Sequence, residues 1–103
     1  MWQIEEYYAY EYDFSVSVPN NARFMSIRSQ DGQHFVAFLL DNSRPRTSRT
    51  LYVTWQGQYH PHDPHKMTYL GWFKPGEGKA PCYLFDSLPP SGPLELLAEC
   101  GAP

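Results

Sequence analysis

Three imidazoles and a carboxylate crowd into Tyr59-His60-Pro61-His62-Asp63-Pro64-His65. Side chains of these types hold Zn²⁺ or another divalent ion when several of them converge. The spacing matches no established zinc pattern, and no pair of cysteines lies beside it. In an extended loop His60 and His62 point one way, and His65 need not join them. The expectation is a solvated polar loop, with no metal and no other cofactor. Read as a hydrolytic centre, the loop offers His60 or His65 as a base beside Asp63. No nucleophile elbow, glycine-rich phosphate loop or paired-carboxylate motif accompanies them, so the sequence points away from an enzyme. Gly76-Glu77-Gly78 is too short for a nucleotide loop and reads as a turn.

Two other constellations suit binding better than catalysis. The first is Glu5-Glu6-Tyr7-Tyr8-Ala9-Tyr10-Glu11-Tyr12-Asp13. Tyrosine gives rigid, amphipathic contact area at low entropy cost, and carboxylates steer a basic partner. The alternation continues into Phe14 and Val16, which places Tyr8, Tyr10 and Tyr12 in the core. Tyr7, on the polar parity with Glu5 and Glu11, is then the exposed aromatic. The second constellation is Arg44, Arg46 and Arg49. It is able to grip a phosphate or an acidic partner through bidentate contacts, or to serve only as a solvated loop. The candidate binding residues are therefore Glu5, Tyr7, Glu11, Arg44, Arg46 and Arg49.

The bulk properties narrow the class. A chain of 103 residues suits one domain, and 42% hydrophobic against 18% charged residues excludes a charge-swollen disordered tail. The net charge of −3 argues against binding nucleic acid through its phosphates, which needs a basic face. No apolar window is long enough to span a membrane, and the N-terminus carries no secretory pattern. The expected location is the cytoplasm, with Cys82 and Cys100 as free thiols.

The elements that must carry these residues are strands. Trp2, Ile4, Tyr8, Tyr10, Tyr12, Phe14, Val16 and Val18 share one parity. A period of two marks a strand with one buried face, either split in two or bent near residues 6–9. Asp31-Gly32 suits a two-residue type I′ turn between strands 23–30 and 33–41. That turn sets Ile27 opposite Val36, Met25 opposite Phe38 and Ser29 opposite His34. Both faces of this hairpin are apolar, so it should be central and covered on both sides. Residues 49–57, 67–74 and 81–86 read as further strands, with Leu51, Val53 and Trp55 inward. Six or seven short strands in antiparallel order make a mainly β domain over residues 1–86, either a compact sandwich or a partly open barrel. Residues 87–103 form a proline-rich linker and a short tail. Residues 94–100 could make a short helix, started by Pro93 and stopped by Gly101.

The order of features has a resemblance. Val16-Ser17-Val18-Pro19, Gln30-Asp31-Gly32, Leu40-Asp41, residues 49–53, Gly57 with His60-Pro61, Tyr69-Leu70-Gly71 and Tyr83-Leu84-Phe85-Asp86 follow one another. Together, over residues 8–86, they resemble a family of small uncharacterised bacteriophage proteins. The resemblance implies a phage or prophage accessory protein acting in the host bacterial cytoplasm. By analogy, it implies a protein that binds and inhibits or modulates a host protein, such as a component of an anti-phage defence system. The alternative is a small-ligand binder that sequesters a nucleotide-like signal in an aromatic pocket mouthed by Arg44, Arg46 or Arg49. A homodimer is compatible with either reading.

Overall fold

The computed structural model describes residues 1–60 and 62–88. In chain order the strands are β1 (Trp2–Tyr8), β2 (Phe14–Val18), β3 (Arg23–Gln30), β4 (Gln33–Asp41), β5 (Thr47–Trp55), β6 (Thr68–Phe73) and β7 (Cys82–Asp86). They build two antiparallel sheets, one in the order β1-β4-β3 and the other in the order β2-β5-β7-β6. This is the expected mainly β class, and the sheets stay open instead of closing into a barrel. The helix expected over 94–100 and the linker before it lie outside the described residues, as does Cys100.

The β3–β4 hairpin forms where its turn chemistry demands. Asp31 and Gly32 both take positive φ, 52° and 78°, as a type I′ turn requires. Ile27 pairs with Val36, Ser29 with His34 and Gln30 with Gln33. One expected pair fails. The register shifts between Phe24 and Ser26, so Phe24 lies opposite Phe38 and Met25 is left unpaired. A bulge of this kind inserts one residue and turns its side chain away from the ladder. Met25 is accordingly exposed, while Phe24 packs edge-on against Phe38 at 6.3 Å.

The core lies between the sheets. Val36, Phe38 and Leu40 from β4 meet Val18, Leu51 and Leu84 from the other sheet, all at 0% exposure. Full burial of a side chain such as Phe38 contributes about 2–3 kcal/mol. On the β3 side the sheets come close at Gly71. A Cβ there would stand 3.1 Å from Ile27 Cδ1, so a larger residue would require the Ile27 side chain to give way by a few tenths of an ångström.

The N-terminal alternation does not survive as one strand. β1 pairs with β4 so that Glu5 lies opposite Phe38 and Tyr7 opposite Val36. Directly opposed residues of an antiparallel pair share a face, so Glu5 and Tyr7 look toward the core. Trp2, Ile4 and Tyr8 look outward, with exposures of 53%, 60% and 52%. Residues 9–13 then leave regular structure and carry the chain into the second sheet. Their anchors are long-range: Ala9 donates to the His34 carbonyl at 2.8 Å, Asp13 Oδ1 accepts from Val53 N–H at 2.8 Å, and Trp55 Nε1 donates to the Glu11 carbonyl at 3.0 Å. Parity restarts after this link, and in β2 it is Phe14, Val16 and Val18 that turn inward. Tyr10 and Tyr12, expected inside, are exposed on the link itself.

Candidate functional site

Three of the six residues singled out for binding meet one another within the fold. Glu5 and Tyr7 project from β1, and Arg46 reaches them from the loop before β5. Arg46 Nη2 donates to Glu5 Oε2 at 2.7 Å, and Nη1 donates to Oε1 at 2.9 Å. The Tyr7 hydroxyl donates to Glu5 Oε1 at 2.6 Å. Both Tyr7 Oη and Arg46 Nη1 lie 3.2 Å from the main-chain carbonyl of Ser17 on β2. The bidentate guanidinium, followed by the tyrosine hydroxyl, holds the Glu5 carboxyl down at a pKa of about 2. Burial, with the nearby Glu5 carboxylate, pushes the Tyr7 phenol up to about 12. The Tyr7 ring meets Phe38 edge-on at 6.3 Å. Tyr7 is therefore a half-buried strut between the sheets and not the exposed aromatic expected from its parity.

The basic cluster is likewise dispersed. Arg49 lies on the inward parity of β5 and is only 6% exposed. Its guanidinium donates to the carbonyls of Pro19, Asn20 and Ala22 and to Asp86 Oδ2. Burial raises the Asp86 carboxyl above its ordinary range, against the opposing pull of a Leu88 N–H and of Arg49. Arg44 is exposed, 3.8 Å from Asp41. Glu11 pairs with Lys79 at 3.3 Å. Arg44, Arg46 and Arg49 thus do not converge on a common anion.

The histidine loop divides its imidazoles among separate tasks. His62 stacks on Tyr52 at 3.9 Å, and His60 meets Phe85 edge-on at 4.8 Å. His60 Nδ1 accepts the His62 N–H at 3.1 Å, and burial lowers its pKa. Asp63 accepts from His65 N–H at 2.9 Å and caps a single 3₁₀ turn, Pro64–Lys66. Among the described residues, no three His, Cys, Asp or Glu side chains are grouped to hold a metal ion. Cys82 is buried with its thiol pushed up to about 11, which suppresses the reactive thiolate.

The residues most available to a partner are others. On the outer face of the β1-β4-β3 sheet, Trp2 and Ile4 stand beside Leu39, and Tyr8 rests on Phe35 with ring centroids 5.1 Å apart. Arg28 lies over the Phe35 ring at 4.5 Å and forms a bidentate ion pair with Glu6. Among the described residues this outer face carries no second layer of chain, whereas cover on both sides was expected. The aromatic series continues onto the link, where Tyr10 stacks on Tyr12 at 5.4 Å and meets Phe14 edge-on at 5.5 Å. A cleft of about 510 Å³ opens there, lined by Tyr8, Tyr10, Phe14 and Phe35. Sequence pattern placed these tyrosines inside because it carried one parity across an irregular link. The signal that could have corrected it is Glu5, whose partner Arg46 is a residue able to hold a carboxylate at a core edge.

Comparisons with protein-family models, curated proteins and solved structures find no match.

Proposed function

We propose that this chain is a binding protein, not an enzyme, and that it docks a protein partner on the outer face of the β1-β4-β3 sheet. One observation carries the reading: Trp2, Ile4 and Tyr8 stand half or more exposed in a row on the outer face of the sheet, which no other described segment covers. Large apolar side chains grouped in this way mark contact surfaces, and aromatic anchors concentrate binding energy. The Glu6–Arg28 pair within the patch supplies polar register. The resemblance to small phage proteins would make the partner a host bacterial protein, met in the cytoplasm and inhibited or modulated by occupation of its surface. A nucleotide-like ligand has less support, since Arg46 and Arg49 are engaged within the fold.

The test is affinity capture with wild type and with a Trp2→Ser, Ile4→Ser double variant. Loss of two half-exposed anchors should weaken a partner by about 2–3 kcal/mol, or roughly 50-fold in Kd, with the melting temperature unchanged. Undiminished capture by the double variant refutes the reading. Self-association of wild type, abolished in the double variant, would make the partner a second copy of the chain.

A further inference from the structure

The outer face of the other sheet has a different chemistry. Its aromatic members are Tyr52, Tyr69, Trp72, Tyr83 and Phe85, brought together by the β5-β7-β6 register. Tyr69 lies opposite Phe85 and Trp72 opposite Tyr83. The register break between Tyr69 and Gly71 keeps both Tyr69 and Trp72 on this face although three positions separate them, about 10 Å along an extended strand. Trp72 is 57% exposed and Tyr69 52%. Every other side chain that β2 and β5 direct to this face is a serine or threonine. The strands therefore present rings and hydroxyls here, with no charged and no aliphatic group. One of the hydroxyls is unsatisfied: Thr54, opposite Tyr83, is 8% exposed, and its buried Oγ1 has no hydrogen-bond partner among the described residues.

We propose that this face binds a neutral oligosaccharide, with pyranose rings lying on Trp72 and Tyr69. The negative face of an indole or phenol ring attracts the weakly positive C–H groups of a sugar's apolar side. Serine and threonine hydroxyls exchange hydrogen bonds with sugar hydroxyls in either direction. The strands around Tyr69 and Trp72 carry no charged side chain on this face, which suits a ligand without charge better than a phosphate backbone or an anionic polymer, while His62 and His60 of the adjoining loop cover Tyr52 and Phe85. A protein contact would bring arginine and apolar anchors together, as the opposite sheet does. The span from Tyr69 to Trp72 requires more than one sugar ring. The Thr54 hydroxyl is buried and has no partner among the described residues, so a small shift of the rings around it lets a ligand hydroxyl or a bridging water satisfy it.

The experiment titrates the full chain with maltohexaose, cellohexaose, laminarihexaose, mannohexaose and fully acetylated chitohexaose, and follows tryptophan fluorescence. At least one should bind saturably, more tightly than its disaccharide and independently of salt up to about 0.5 M. Trp72→Ala should weaken binding at least tenfold, and Tyr69→Ala severalfold, with no change in melting temperature. Thr54→Val should weaken it severalfold while leaving stability equal or higher, an outcome that a merely structural threonine would not give. The Trp2→Ser, Ile4→Ser variant should bind as wild type, which separates this face from the protein-docking face. Absence of saturable binding across the panel overturns the proposal. So does binding that survives Trp72→Ala, or that appears only with dextran sulfate and disappears with salt.

Discussion

Replacing Arg49 by methionine removes a guanidinium that is 5% exposed and donates to three main-chain carbonyls and to Asp86. A hydrogen bond from a charged donor contributes about 1.5–3 kcal/mol, so loss of all of them sets a high ceiling. Two of the carbonyl contacts, to Ala22 and Asn20, are only partly buried, and water replaces part of what they lose. The expected net cost is about 3–5 kcal/mol, at about 1–3 kcal/mol for each main-chain carbonyl left without its donor and less where water reaches it. Asp86→Asn should behave differently. Asparagine keeps an oxygen for the Leu88 N–H, which Asp86 Oδ1 accepts at 3.0 Å. Burial raises the Asp86 pKa above 3.8, so ionised Asp86 is held at a cost. A raised folded-state pKa means that this group withdraws stability as pH climbs from 3.8 through the folded value. The asparagine variant escapes that loss and should gain on wild type toward neutral pH. Its cost there should be about 1 kcal/mol or less. At about 4–8 °C per kcal/mol for a domain of this size, Arg49→Met should melt roughly 12 °C or more below wild type, and Asp86→Asn within about 8 °C. Urea and thermal unfolding followed by circular dichroism measure both. Equal damage from the two variants would refute the reasoning, because the ion pair and not the carbonyl cage would then be the stabilising unit.

Glu5→Gln should flatten the acid limb of the stability profile. With its folded pKa near 2 against 4.5 ordinarily, Glu5 stabilises fully above 4.5 and loses that contribution as pH falls toward 2. The side chain is 26% exposed, so screening limits the contribution to about 1–2 kcal/mol; an unchanged acid limb in urea titrations between those pH values contradicts the assignment. Tyr7→Phe should cost about 1–2 kcal/mol through lost hydrogen bonds, whereas Tyr12→Ala, at a side chain 65% exposed, should shift stability by less than about 1 kcal/mol. The reverse ranking in thermal melts would restore the continuous N-terminal parity that the structure breaks.

Local chemistry was legible in the chain, and long-range pairing was not. Asp31-Gly32 declares its turn through two residues that tolerate positive φ, and Ile27 opposite Val36 follows by counting outward. Counting fails at Met25, because an extra residue in one strand leaves no mark in the alternation. Leu51, Val53 and Trp55 fall on the inner parity of β5 as their pattern implies, and Arg49 joins them against its polarity. What admits it is a ring of carbonyls from residues 19–22, which no spacing rule connects to position 49. Glu5, Tyr7 and Arg46 were picked out for their chemistry, and they do act together. Their meeting across 41 positions converts them from contact residues into a brace. Trp2 and Ile4 went the other way, since only the register with β4 shows which side of β1 the core occupies.

The brace also decides when in its synthesis the chain becomes safe. The Ser17 carbonyl lies on the unpaired edge of β2, a short run of Phe14-Ser15-Val16-Ser17-Val18 with high strand propensity and no charge. Such an edge recruits any other extended chain unless something occupies it. Here the occupant is a guanidinium that emerges from the ribosome 29 residues later. Until Arg46 and the β5 strand that follows it have arrived, and β1 has docked with Tyr7 in place, the run is an open template. The interval before closure, more than the stability of the finished domain, is therefore when a crowded or slowly translated chain is most exposed to pairing with a copy of itself.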